Sequence, residues 1–442
     1  MSKSSVVHSV RENLTNQNES VEEEKAEAIV LVPDDTKYYI MLGYALLIMF
    51  SGFLFNSPLE IFQGMQAIIV APSILVTDYF AIANIGSTLF NSGLLMIVSI
   101  GIAKVNHVNM NGPLMAAILT IGGFALFGKN PYNIIPILLG VFLYSRVQKE
   151  KFNKFILPAF FGTALGPLVS QVSFGYDFPV VQGIVLGILF GTLAGFVLPS
   201  LAAHFIKFHQ GFNLYNIGFT CGITGMFFMA VFRAFGYNHE GALFVSSGNN
   251  PTFSVYLGLL FLSFIIVGLF YNRWNFKGYK NLLGHAGQLV TDFVTLNGFG
   301  VTMINMGILG LISTLYVVMV NGELNGPIIG GIFTIVGFGA FGKHTRNILP
   351  IFVGIYLATL FNIWDVNSTG ALLGALFGTT LAPISGRFGW QYGVLAGFLH
   401  MAMVMNVGAL HGGMNLYNNG FSGGFVAAFL VPIITSLKKE VI

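Results

Sequence analysis

Cysteine is almost missing from this chain, and charge is scarce. The single cysteine, Cys221, excludes an intrachain disulfide, a cysteine-based zinc site and an iron–sulfur cluster. It sits in an apolar segment and reads as a small packing residue. Only 8% of residues are charged, against about 25% in a soluble domain. Such a chain cannot cover a water-facing surface, so its solvent is largely lipid. The net charge of +3 is small. Lysines and arginines fall in loops and ends rather than in a stripe, which excludes a nucleic-acid partner. Enzyme signatures are missing too: no H-E-x-x-H or P-loop occurs, and the chain reads as no enzyme. No cleavable signal is apparent. Residues 1–37 are polar, with Glu22, Glu23, Glu24 and Lys25 in a run, and read as a cytoplasmic tail.

What is present is apolar. The hydrophobic fraction is 55%, the mean hydropathy +0.76, with 55 glycines and 44 phenylalanines. A spanning helix needs about 20 apolar residues. Candidate spans lie near 38–56, 80–103, 113–128, 132–147, 155–171, 180–204 and 211–233. A second set lies near 252–271, 299–319, 326–342, 347–361, 369–385, 390–408 and 413–436. The runs are continuously apolar rather than alternating, so they are helices and not barrel strands. The repeated glycines Gly183, Gly187, Gly191 and Gly195 read as a close helix-packing face.

The two sets are copies. Residues 111–145 and 325–359 share seventeen of thirty-five aligned positions, and Leu75–Leu95 aligns with Leu289–Leu309 with nine identities. Phe161-Gly162-Thr163 matches Phe377-Gly378-Thr379. Gly211–Gly225 matches Gly413–Ala427 with eight identities. Residues 38–235 and 252–437 are therefore two repeats, joined by a linker at 236–251 and followed by a short cytoplasmic end at 438–442. Seven segments per copy is an odd number, which turns the second copy upside down. Basic residues favour the cytoplasmic side. Arg146, Lys149, Lys151 and Lys154 follow one segment, whereas its counterpart is followed by Asp365 and no basic residue. The charges thus agree with inverted copies and both termini inside. The pair 113–128 and 132–147, like 326–342 and 347–361, reads either as tilted spans or as re-entrant hairpins.

Three repeated motifs carry candidate chemistry. The first is N-G-P…F-G-K…N-I-x-P, with Asn111, Lys129 and Asn133 matching Asn325, Lys343 and Asn347. Helix N-termini and lysines favour anions. The plainer reading is that the lysines snorkel to the two membrane faces. The second is L-V-T-D, ending in Asp78 and Asp292. These carboxylates read as ion- or proton-coupling groups or as helix caps. Downstream, Thr88 and Asn91 match Thr302 and Asn305, three residues apart on one helix face. They either line a path with the aspartates or hydrogen-bond a neighbouring helix. The third is His-x-Gly-x-Asn-Leu-Tyr-Asn-x-Gly-Phe, giving Asn213, Tyr215, Asn216 and Asn415, Tyr417, Asn418. Amides entering a membrane helix are costly unless paired, so they bind a solute or form a polar interfacial cap. His209 and His411 bring no acidic or cysteine cluster, and no metal site is expected.

The doubled G-x-N-L-Y-N-x-G-F, with F-G-K before it, resembles a bacterial integral-membrane family catalogued only as a domain of unknown function, found in tandem in Firmicutes proteins. The resemblance covers nearly the whole chain after residue 38. It implies a multi-pass protein of the bacterial cytoplasmic membrane and supplies no substrate. The inverted copies also resemble urea-channel and elevator-transporter architectures, by analogy alone.

The expectation is an all-α polytopic transmembrane helix bundle of about fourteen hydrophobic segments in two inverted seven-segment repeats. Its partners would be the lipid bilayer and a small solute, with a homo-oligomer compatible. The function expected is secondary transport of a small polar or anionic solute at the repeat interface. It would use no cofactor beyond Na⁺ or H⁺ coupling. A passive channel for a small neutral solute and a non-transporting membrane scaffold are the alternatives.

Overall fold

The computed structural model describes residues 30–238, 243–361 and 363–439. Every long element in it is an α-helix, as continuous apolar runs dictate. The first copy comprises α1 (Asp34–Ser51), α2 (Pro58–Val70), α3 (Ile85–Val105), α4 (Gly112–Phe124), α5 (Pro131–Val147), α6 (Ile156–Gly162), α7 (Gly166–Ser170), α8 (Val180–Phe205) and α9 (Asn216–Ala234). The second comprises α10 (Asn250–Tyr271), α11 (Phe299–Met319), α12 (Gly326–Phe338), α13 (Thr345–Phe361), α14 (Thr369–Gly378), α15 (Ala382–Phe388), α16 (Trp390–Val407) and α17 (Asn418–Lys439). Among the described residues, ten helices are long and apolar enough to cross a membrane, counting each interrupted helix α6–α7 and α14–α15 as one. Four are shorter: α4, α5, α12 and α13. The chain is a polytopic helical bundle of the membrane type.

Two boundaries differ from the sequence reading. Helix α1 begins at Asp34, inside the expected tail, because Pro33 precedes it and Asp34 and Asp35 occupy its first turn, where acidic side chains favour the helix dipole. The tail before residue 30 and the end after 439 lie outside the described residues. Helix α2 was not anticipated. At 13 residues it is too short to span, yet Ser57 and Glu60 form a capping box and Pro58 opens it, which starts a helix firmly.

Pairing within the copies is the same: α1 packs on α3 as α10 packs on α11, and α5 packs on α8 as α13 packs on α16. The glycine face of α8 is what lets it approach α5. A Cβ at Gly195 would strike the Ile137 carbonyl, and one at Gly397 in α16 would strike that of Ile351. The opposite face of α8 leaves Val181, Val185, Leu189 and Leu193 exposed, and α10 does the same with Val255, Leu259, Ile266 and Phe270. Apolar side chains turned outward along whole helices mark a surface wetted by lipid.

The innermost pair is α4 and α12. Every residue of both helices is buried. They run antiparallel: the start of α4 at Gly112 lies against Ala340 beyond the end of α12, and Gly326 lies against Leu126 beyond the end of α4. They cross at two glycines. A Cβ on Gly123 would come within 2.6 Å of the Gly330 oxygen, and one on Gly330 within 2.5 Å of the Gly123 oxygen. No side chain fits between them. A 13-residue helix is about 20 Å long, short of a hydrocarbon core of about 30 Å. Both ends of this pair therefore lie inside protein, where irregular backbone must find partners.

Candidate functional site

Each short helix starts on an asparagine and ends on a lysine-bearing turn. Asn111 accepts from the Leu114 amide and Asn325 from the Ile328 amide, both as N-caps. The next amide along is capped by the other copy. Asp292 Oδ1 accepts from Gly112 N at 2.9 Å, and Asp78 Oδ1 accepts from Gly326 N at 3.2 Å. The same oxygens cap the short helices that follow them, Asp78 through Phe80 N and Asp292 through Val294 N. A carboxylate at a helix start meets free N–H groups and the positive end of the dipole. Here it also ties the repeats together across 180 and 248 residues of chain.

The aspartates are not equivalent. Asp78 is fully buried, and its Oδ2 accepts from Ser246 N at 2.9 Å and Ser246 Oγ at 2.6 Å. The linker thus docks on it. Asp292 is half-exposed, and its Oδ2 accepts from Thr295 Oγ1.

At the far end of each short helix, α3 and α11 supply an amide clamp. Asn91 Nδ2 donates to the Ala125 and Lys129 carbonyls at 2.7 and 2.8 Å. Asn305 Nδ2 donates to Gly339 O and Lys343 O at the same distances. Thr88 and Thr302 instead bond back to their own helices, at Asn84 O and Gly298 O. Asn133 and Asn347 complete the turns from the next helix, donating to Gly128 O and Gly342 O. Gly128 has φ +140°, a region that only glycine enters freely.

The turns hold Lys129 and Lys343 completely buried. Neither snorkels. Among the described residues neither forms an ion pair. Lys343 is satisfied from both copies: its Nζ donates to Tyr215 Oη at 2.5 Å and Thr379 Oγ1 at 2.6 Å, and lies 4.5 Å from the Tyr215 ring centroid. Lys129 Nζ sits 5.0 Å from the Phe124 ring centroid and has no hydrogen-bond partner among the described residues.

Tyr215 and Tyr417 reach these turns because each copy's Asn-Leu-Tyr-Asn segment threads into the other copy. Helices α6–α7 and α14–α15 are interrupted at Thr163–Leu165 and Thr379–Leu381. The freed carbonyls are taken across the interface: Leu416 N donates to Ala164 O, and Leu214 N donates to Thr380 O. Asn213 Nδ2 donates to Gly420 O and Asn415 Nδ2 to Gly218 O. Asn216 and Asn418 anchor the segment ends on Ala202 O and Val404 O, and pair with His209 and His411. The two tyrosine rings meet at 5.1 Å between centroids. A cavity of ≈150 Å³ lies here, with Tyr215, Tyr417, Phe161, Phe338 and Phe341 in its wall.

The structure thus gathers Lys129, Lys343, Tyr215 and Tyr417 at the centre. It uses the asparagines as clamps around them. Sequence reading gave no site role to Thr120, Thr163, Thr379 or Thr380, and took Cys221 as a packing residue. Thr120 and Thr163 recur as Thr334 and Thr379 in the aligned copies, and that recurrence was the available signal.

The family comparison matches twice, at 57–234 and 271–436, to the family described as "Protein of unknown function (DUF1576)". The chain belongs to that family. Neither the curated proteins nor the solved structures include a match.

Proposed function

We propose that this membrane protein is a secondary transporter of a small polar or anionic solute, bound where the two copies interlock. The carrying observation is the pair of buried lysine turns, each placed at the end of a short antiparallel helix and faced by a tyrosine from the other copy. Short helices meeting inside a bundle, with polar ends around a shared centre, are the building plan of many carriers with inverted repeats. The antiparallel course of α4 and α12 supports setting the copies upside down across a bacterial cytoplasmic membrane, with both termini inside. Alternating access would follow from rocking one copy against the other about this centre.

Coupling to Na⁺ or H⁺ falls to groups near the centre. The full hydrogen-bond shell of Asp78 favours a fastening role for it over cation binding.

Uptake into proteoliposomes of purified protein tests the reading, screening small carboxylates, amides and amino acids. Accumulation above protein-free vesicles, abolished when the Na⁺ and H⁺ gradients are collapsed, is expected. Flux that persists without gradients would mean a channel. No flux for any solute would leave a scaffold.

A further inference from the structure

The two lysine half-sites are built from equivalent residues, yet only one is closed on its own chain. At Lys343 the ammonium is held by Tyr215 and Thr379. The equivalent threonine of the short helix, Thr334, bonds back to Gly330 O. At the other half-site, among the described residues, Lys129 Nζ is buried with no hydrogen-bond partner, and the buried Tyr417 Oη and Thr120 Oγ1 have no polar neighbour but each other. They are neighbours: Tyr417 faces Thr120, its ring lies 4.6 Å from that of Phe124, and Phe124 carries the Lys129 ammonium. Cys221 lies within electrostatic reach of both Lys129 and Tyr417.

The difference is also written in the sequence. Thr380 of the closed half-site accepts from Tyr215 N and donates to Asn213, whereas its counterpart is Ala164. Cys221 has Gly423 as its counterpart. The half-sites are chemically distinct, and the open one is at Lys129.

We propose that Lys129, Tyr417 and Thr120 form the seat for the carboxylate of a short-chain monocarboxylic acid. A buried ammonium without a counter-charge is expensive. A carboxylate brings one negative charge and two oxygens that only accept. One oxygen meets the ammonium, and the other takes the hydroxyls of Tyr417 and Thr120. An amide or urea would turn N–H donors toward the lysine. Phosphate or sulfate would bring a second negative charge, whereas the three side chains of this seat include one cation. Tyr417 also lines the ≈150 Å³ cavity, whose other walls include Tyr215, Asn216, Leu157, Phe161, Phe338 and Phe341. That space suits a small apolar tail. The assignment rests on the transport reading only in treating the bound acid as cargo.

The test is binding to the full-length protein in nanodiscs, read by thermal stabilisation with propionate, butyrate and benzoate against acetamide, urea and phosphate. The monocarboxylates should stabilise the wild type in a saturable way, and the other three should not. Lys129→Met should weaken the affinity about tenfold or more, in line with a lost charge-assisted hydrogen bond. Tyr417→Phe and Thr120→Val, which remove hydroxyls that in the resting fold have no polar neighbour but each other, should each weaken it several-fold. Lys151→Met, exposed in the loop after α5, should leave it within about twofold. No stabilisation by any monocarboxylate overturns the seat, as does binding unchanged in Tyr417→Phe and Thr120→Val. Binding without uptake in proteoliposomes would keep the seat and remove the transport reading.

Discussion

Replacing Asp78 by asparagine should damage the fold more than the same change at Asp292, although the two residues occupy equivalent positions. Asp78 accepts four hydrogen bonds. Oδ1 takes Phe80 N and Gly326 N, and Oδ2 takes Ser246 N and Ser246 Oγ. Asparagine has one acceptor oxygen and one donor nitrogen. With the nitrogen at Oδ1, two backbone amides face an NH₂ group; with it at Oδ2, the Ser246 hydroxyl can turn to accept and the Ser246 amide is left facing a donor. Each buried donor left unmade costs about 1–3 kcal/mol. Relief from burying the charge offsets part of this, leaving about 1–2 kcal/mol. Asp292 places its three backbone amides, Gly112, Val294 and Thr295, on Oδ1 alone. Its Oδ2 has only the Thr295 hydroxyl, which rotates to accept from the new amide. That change should cost no more than about 1 kcal/mol. Denaturant unfolding in detergent micelles, followed by tryptophan fluorescence, measures both. Equal stability losses, or a larger loss at Asp292, would refute the assignment of these carboxylates as unequal fasteners between the copies. Unchanged stability with lost Na⁺ or H⁺ dependence of uptake would return both to ion coupling.

Four further outcomes follow from the same geometry. Gly330→Leu places side-chain atoms where the Gly123 carbonyl already stands, and should cost about 3 kcal/mol or more, seen as loss of monodisperse protein on size exclusion. Asn305→Leu leaves the Gly339 and Lys343 carbonyls without their shared donor. It should lower stability by about 2–4 kcal/mol in the unfolding assay, at about 1–3 kcal/mol per orphaned group. Tyr215→Phe removes an acceptor from a buried ammonium and should cost about 1–3 kcal/mol. Tyr417→Phe removes a hydroxyl whose one polar neighbour among the described residues is Thr120 and should cost no more than about 1 kcal/mol.

Local signals told well where helices begin. The runs read as starting at 113, 326 and 132 begin within a residue of α4, α12 and α5, where Asn111, Asn325 and Asn130 are N-caps, although Asn111 and Asn325 read as solute-binding groups in the sequence. The duplication likewise exposed the helix pairs, since each copy buries the same face. Contacts between copies were hidden. Nothing near Gly112 announces that its amide is bonded 180 residues away, and an asparagine in an apolar helix does not say which carbonyl it will clamp. Helix α2 escaped notice because a hydropathy reading tuned to spans discounts a 13-residue segment containing Glu60. The lysines were the hardest residues to place. Their sequence neighbourhood resembles a loop end, and only the threading of Tyr215 and Tyr417 across the interface encloses them. The unequal half-sites were visible only as the Ala164/Thr380 and Cys221/Gly423 differences, which acquire meaning once both turns are seen together.

The inversion of the two copies is tested most directly by the sidedness of equivalent loops. Lys151 follows α5 and Asp365 follows α13, and both are exposed. In a Cys221→Ala background, single cysteines introduced as Lys151→Cys and Asp365→Cys would be treated with a membrane-impermeant maleimide, in right-side-out and inside-out vesicles. Lys151→Cys should label only in inside-out vesicles and Asp365→Cys only in right-side-out ones. Labelling of both from the same side would contradict the inverted arrangement and, with it, the shared centre between opposed repeats.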